Sequence, residues 1–201
     1  MKNSIISILI LIFPLITKSQ DNTHIHDEKC GTEKITKILE GKYPEYRQER
    51  SKVNIQTENW LSEHLDMKKS IITIPVVVHV VWNTNQQNIS DAQINSQIDV
   101  LNEDYRRTNI DAINTPQVWS SISADTEIEF CLASVDPNGA FTTGITRTQT
   151  SQSSFSIQND GMKSSSSGGI DPWPQEDYLN IWVCNLSGGI LGYATPPSGF
   201  N

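Results

Sequence analysis

IITIPVVVHVVW, residues 71–82, is continuously apolar and β-branched. A run of this length and composition reads as a strand covered on both faces. Its one titratable residue, His79, reads as a core histidine with a hydrogen-bonded ring, since a lone histidine in mid-strand makes a poor metal site. The stretch that follows is the clearest helix in the chain. In NISDAQINSQIDVLNEDYRRTN, residues 88–109, Ser90 stands as N-cap with Gln93 three residues on, and Ile89 and Ile94 form a hydrophobic staple. Asp91 suits the positive end of the helix dipole, and Arg106 and Arg107 suit the negative end. Ile94, Ile98, Leu101 and Tyr105 make one buried stripe, so a helix is expected over 91–107. Its carboxylates Asp99, Glu103 and Asp104 read as a solvated face.

TEIEFCLASVD, residues 126–136, is the next strand, closed by the turn DPNG. Strand, capped helix and strand form a crossover unit, so 71–82 and 126–134 are expected to be parallel with a right-handed connection. The fold class is α/β (α+β), with a twisted, mostly parallel sheet and a backing helix. Residues 137–175 are rich in Ser, Thr and Gly and read as a long irregular connection. DYLNIWVCNL, residues 177–186, returns to the sheet. Gly188 and Gly189 then make a turn before Ile190–Ala194, which on pattern alone would pair with 178–186 as a hairpin.

Upstream the character is different. Lys2 and the apolar run Ser4–Ile16 form a secretory signal, with Thr17 and Ser19 as the small residues at the −3 and −1 positions. Its apolar stretch is shorter than the ~20 residues a spanning helix needs. Cleavage after Ser19 makes the mature protein exported, with no membrane attachment. Residues 20–70 are polar and charge-mixed, with short helices expected over 32–39 and within 57–69, where Trp60, Leu61, His64 and Leu65 share a face. Neither helix buries enough surface to stand alone. The net charge of −8 argues against a nucleic-acid partner, because no basic stripe is available to neutralise phosphates.

Taken in order, IPVVVHVVWNT, ISDAQINSQIDVLNEDYRRTN, ADTEIEFCLASVDPNG, GITRT, SSGGIDPWP and YLNIWVCNLSGGILGYA resemble the pappalysin family of metzincin zinc metalloendopeptidases, in particular its bacterial ulilysin- and cytophagalysin-like members. The resemblance spans residues 71–197. It implies a metzincin-type N-terminal subdomain, with 1–19 as signal peptide, 20–70 as pro-segment and 71–201 as the N-terminal part of a catalytic domain. It implies protein or peptide substrates, zinc as cofactor, and leaves calcium open as a second ion. The family's zinc motif, His-Glu-x-x-His-x-x-Gly-x-x-His, does not occur in this sequence, and His24, His26, His64 and His79 do not match it. The expectation is an incomplete catalytic domain, with no catalytic residue assigned and no peptidase activity of its own. One face of the sheet would then await the absent active-site helix.

Two site assignments follow from the resemblance. Cys30, in DEKCGTE (27–33), is a latency ligand for zinc in the zymogen, and the following Gly31 lets the backbone approach the cleft closely. Lys29 stands where arginine often precedes that cysteine. A separate metal site built from His24, His26 and Cys30 is the weaker reading, with only three ligands. Gly192, Tyr193 and Ala194 match the edge strand that binds extended substrates, and in the family fold a later strand separates this segment from 178–186. In the arrangement the resemblance implies, the strands of Cys131 and Cys184 flank 71–82 on opposite sides, which would set them about 9–10 Å apart. That is too far for a disulfide, so both read as buried thiols. The alternative is an exported, non-catalytic α/β binding or adhesion module, for which a cysteine switch has no use. Continuation of the reading frame into a His-Glu-x-x-His discriminates the two.

Overall fold

The computed structural model describes residues 29–64 and 70–196. The signal segment, His24, His26 and Leu65 lie outside the described residues. Seven main elements follow in order: α1 Thr32–Lys42, α2 Tyr46–Glu63, β1 Ile72–Trp82, α3 Asp91–Tyr105, β2 Ile128–Leu132, β3 Ile145–Gln149 and β4 Leu179–Val183. β1 is the hub. Its lower half pairs in parallel with β2 (Ile72 with Ile128) and its upper half with β3 (Val78 with Ile145). β4 runs parallel along residues 76–80 of β1, overlapping both of those registers, and so occupies the opposite edge.

The alternation of β1 explains its composition. Val76, Val78 and Val80 face α3 and pack with Ile94, Ile98 and Phe130. The opposite face carries Val77, His79 and Val81, all essentially inaccessible. Contrary to the expectation that this face awaits a helix from elsewhere, the Ser/Thr/Gly-rich connection covers it. Phe155 and Met162 pack on Val81, with Trp182 and Ile170 beside them. The same connection contains β3, which a short polar run, ITRTQ, does not announce.

α3 forms as its capping predicts, with Gln93 N–H donating to the Ser90 hydroxyl. Tyr105, expected in the buried stripe, is instead largely exposed while its ring meets Phe130 edge-on at 4.8 Å. Asn102 does what the stripe did not suggest. Its amide donates to Phe130 O (3.0 Å) and accepts from Phe130 N–H (2.7 Å), satisfying the outer edge of β2 as a neighbouring strand would. Arg106 turns to Asp125 and Glu129 at the start of β2 rather than simply closing the dipole.

His79 is the polar node of the sheet. Its Nε2–H donates to Asn180 Oδ1 (2.9 Å), and its Nδ1 accepts from the Thr146 hydroxyl (2.7 Å). Asn180 Oδ1 also accepts from Trp173 N–H, which fixes the oxygen as acceptor and Nε2 as a donor nitrogen of the ring. Burial lowers the pKa of this ring below its ordinary 6.5, and the Asn180 bond only partly offsets that. In the unfolded chain the ring takes up a proton at about 6.5. Its contribution to stability is therefore complete above pH ~6.5 and is lost as pH falls from there toward the folded pKa. Urea midpoints are expected to drop between pH 7 and pH 5. A His79→Gln variant that showed the same drop would assign it elsewhere.

None of the three cysteines forms a disulfide. Cys184 is half-buried and its thiol is pushed up to about 11 by burial. Cys131 departs from the buried reading: it is exposed, because Phe130 takes the inward position on the edge strand β2 and its neighbour must point the other way.

Candidate functional site

Residues 29–32 and 190–194, far apart in sequence, meet along one line. After β4, Asn185 O and Ser187 N–H are both bonded to the backbone of Phe155 (2.8 Å each). A hairpin partner would need those same groups, so Ile190–Ala194 does not fold back on β4. Its backbone pairs with the N-terminal segment instead. Leu191 N–H donates to Lys29 O (2.7 Å), Gly31 N–H donates to Gly192 O (2.8 Å), and Ala194 N–H donates to the Thr32 hydroxyl oxygen (3.1 Å). Cys30 and Gly192 form a parallel bridge.

Gly31 is the tight point of this contact. A Cβ there would lie 3.1 Å from the Ile190 side chain and 3.3 Å from Tyr193 Cβ, so any other residue would push these neighbours back by a few tenths of an ångström. Cys30 lies outward and exposed, its thiol 3.4 Å from the Thr32 hydroxyl. Thr32 opens α1, whose Ile35 is fully buried, as is Tyr46 at the start of α2.

Beneath the contact lies a polar cluster. The Tyr193 hydroxyl donates to Asp160 and sits 3.4 Å from the Met162 sulfur. Lys163 Nζ is 3.3 Å from the Asp160 carboxylate and lies over the rings of Tyr193 (5.0 Å) and Trp182 (5.7 Å). Burial, and then the Asp160 hydrogen bond, raise the Tyr193 phenol well above its ordinary pKa, so it stays a donor. Asp160 and Lys163 carry no motif and were not singled out from the sequence.

The structure thus brings Cys30 together with Gly192, Tyr193 and Ala194. It does not bring the histidines to them. His79 is enclosed in the sheet with both ring nitrogens engaged, and His64 stacks on Trp60 at 4.4 Å with its Nδ1 on Trp60 O. Among the described residues no group of three or more His, Cys, Asp or Glu could hold a metal ion. These residues do not fit a zinc centre, and no chemical step is assigned through one.

No family model matches the sequence, and no curated protein matches it. Solved structures do. Mirolysin in complex with compound 9 is 57% identical over 59% of this chain and 44% of that one, with a TM-score of 0.58. Mature mirolysin of Tannerella forsythia in complex with a cleaved peptide is 56% identical over 57% of this chain and 43% of that one, with a TM-score of 0.56. A promirolysin mutant of the same organism is 48% identical over 83% of this chain and 53% of that one, with a TM-score of 0.70. The chain spans about half the length of these structures. Mirolysin is a metalloprotease of the pappalysin family, and this chain resembles the N-terminal portion of such a protein.

Proposed function

We propose, from its likeness to a pappalysin-family protease and its zymogen, that this chain is the N-terminal portion of a secreted zinc metalloendopeptidase zymogen. Residues 1–19 act as signal, 20–70 as pro-segment and 71–201 as part of the catalytic domain. The observation that carries the reading is the pairing of Cys30-Gly31-Thr32 with Gly192-Tyr193-Ala194. The coverage of the two forms of mirolysin supports it: the match extends over 83% of this chain with the pro-form but only 57–59% with the others.

Residues 191, 192 and 194 offer backbone donors and an acceptor to an extended chain, which is how a peptide is held by strand addition. In the zymogen the pro-segment uses those same groups, so a substrate cannot. Cys30 adjoins this edge, and in this reading it would act as a latency ligand, adding one sulfur to a zinc centre whose other ligands are not among the described residues. Zinc would supply the Lewis acidity that activates water in this enzyme class. This chain's own contribution is to bind and align the peptide backbone. Among the described residues no helix is long and apolar enough to cross a membrane.

The test is a longer product of the same reading frame. It is expected to yield a chelator-sensitive endopeptidase, whereas residues 1–201 alone cleave no peptide with or without zinc. A stop codon directly after Asn201 would give the ground to the non-catalytic binding module. Chelator-sensitive cleavage by 1–201 itself would show that the catalytic machinery lies within this chain.

A further inference from the structure

The proposed function leaves the cluster beneath the edge segment without a role. Ile190–Ala194 belongs to no sheet among the described residues. Its backbone bonds to residues 29–32 are lost when the pro-segment leaves. What then fixes the segment must lie on its inner side. Ile190 is buried there, and Tyr193 reaches down to Asp160. Asp160 itself sits in the left-handed region (φ 50°, ψ 32°) at the start of the turn Gly161–Lys163. A non-glycine residue held there is strained, and such strain persists where the surroundings over-determine it. Here the surroundings are Tyr193 on one carboxylate oxygen and Lys163 on the other.

Resting on that function, we infer that Asp160 is a positioning residue for the peptide-binding edge: by accepting the Tyr193 hydroxyl it holds the backbone of 191–194 at the height and register that pro-segment and substrate share. It touches neither peptide and acts through Tyr193. Lys163 completes the device by neutralising the carboxylate while packing on the same ring. The pro-segment and the Tyr193–Asp160 tether thus grip one segment from opposite sides, and only the tether remains after activation.

Amide hydrogen exchange on the full chain tests this without using activity, so its outcome is independent of whether the protease reading holds. Leu191 and Ala194 N–H are both bonded to the pro-segment, while Val78 N–H (to Gly144 O) and Phe130 N–H (to Asn102) report on the sheet. Tyr193→Phe and Asp160→Ala are expected to speed exchange at Leu191 and Ala194 about tenfold, the equivalent of one net hydrogen bond. Val78 and Phe130 should be unchanged. Asp160→Asn keeps an acceptor oxygen and should stay within about threefold of the parent. Unchanged exchange at Leu191 and Ala194 in Tyr193→Phe overturns the inference. So does equal acceleration at the sheet amides, which would make the tether merely structural, and so does an Asp160→Asn variant as loose as Asp160→Ala.

Discussion

A Gly31→Val zymogen is expected to lose its latency. The added Cβ would lie 3.1 Å from the Ile190 side chain, 3.3 Å from Tyr193 Cβ and 3.5 Å from the Ile157 side chain, and valine adds two methyl groups to that already tight point. The segments must part, and three hydrogen bonds part with them: those joining Lys29, Gly31 and Thr32 to 191, 192 and 194. At about 1 kcal/mol net for each bond, the closed state loses ~3 kcal/mol, roughly a hundredfold in population. Peptidase activity of the unprocessed longer protein should rise by about that factor. Cys30→Ala should raise it through the sulfur while leaving the backbone pairing intact. Were the Gly31→Val zymogen as silent as its parent, the contact would have no part in latency.

Gly169→Ala is expected to cost at least ~3 kcal/mol, a large fraction of the roughly 5–15 kcal/mol that an ordinary domain has. A Cβ at this position would lie 2.2 Å from Met162 O, 2.4 Å from Met162 C and 2.6 Å from Gly161 O. All three are backbone atoms, so no side chain can rotate away. The turn they belong to is cross-linked by Gly169 N–H to Ser164 O (2.9 Å) and Ile170 N–H to Met162 O (3.0 Å). It also seats Met162, almost wholly buried, against the second face of β1. Forcing it open uncovers that face. A urea or thermal midpoint within error of the parent would mean the turn gives way freely and contributes little to the cover.

β1, α3, β2 and β4 were legible because each carries a local pattern: a two-faced apolar run, a capped stripe, or a short apolar strand after a turn. What escaped was non-local. β3 is five residues of mixed polarity that become a strand because the upper half of β1 offers an open edge, and Thr146 is there to serve His79. Phe155 and Met162 stand singly among serines and glycines, with no period to betray that they cover a sheet. Asn102 interrupts a helix as a polar residue whose use appears only once the edge of β2 lies beside it. For the site, the family resemblance nominated Cys30 and the segment 192–194 separately, and nothing in composition joined them. Asp160 gave no signal, since a lone aspartate in an Asn-Asp-Gly turn reads as a turn and nothing more.

The hub position of β1 also governs the order in which this chain acquires structure during synthesis. Its partners come late: Ile72 waits for Ile128, Val78 for Ile145 and Val76 for Leu179. Translation proceeds at about 5–20 residues per second, so the most apolar strand emerges on the order of five to twenty seconds before its last neighbour exists. Contacts of such long range also form slowly once they are available. Under the proposed export of this chain, the delay would be useful. A sheet that cannot close until its final strand is made leaves the nascent polypeptide extended enough to be threaded through a narrow channel, and hands the burden of keeping 72–82 from self-association to whatever escorts it there.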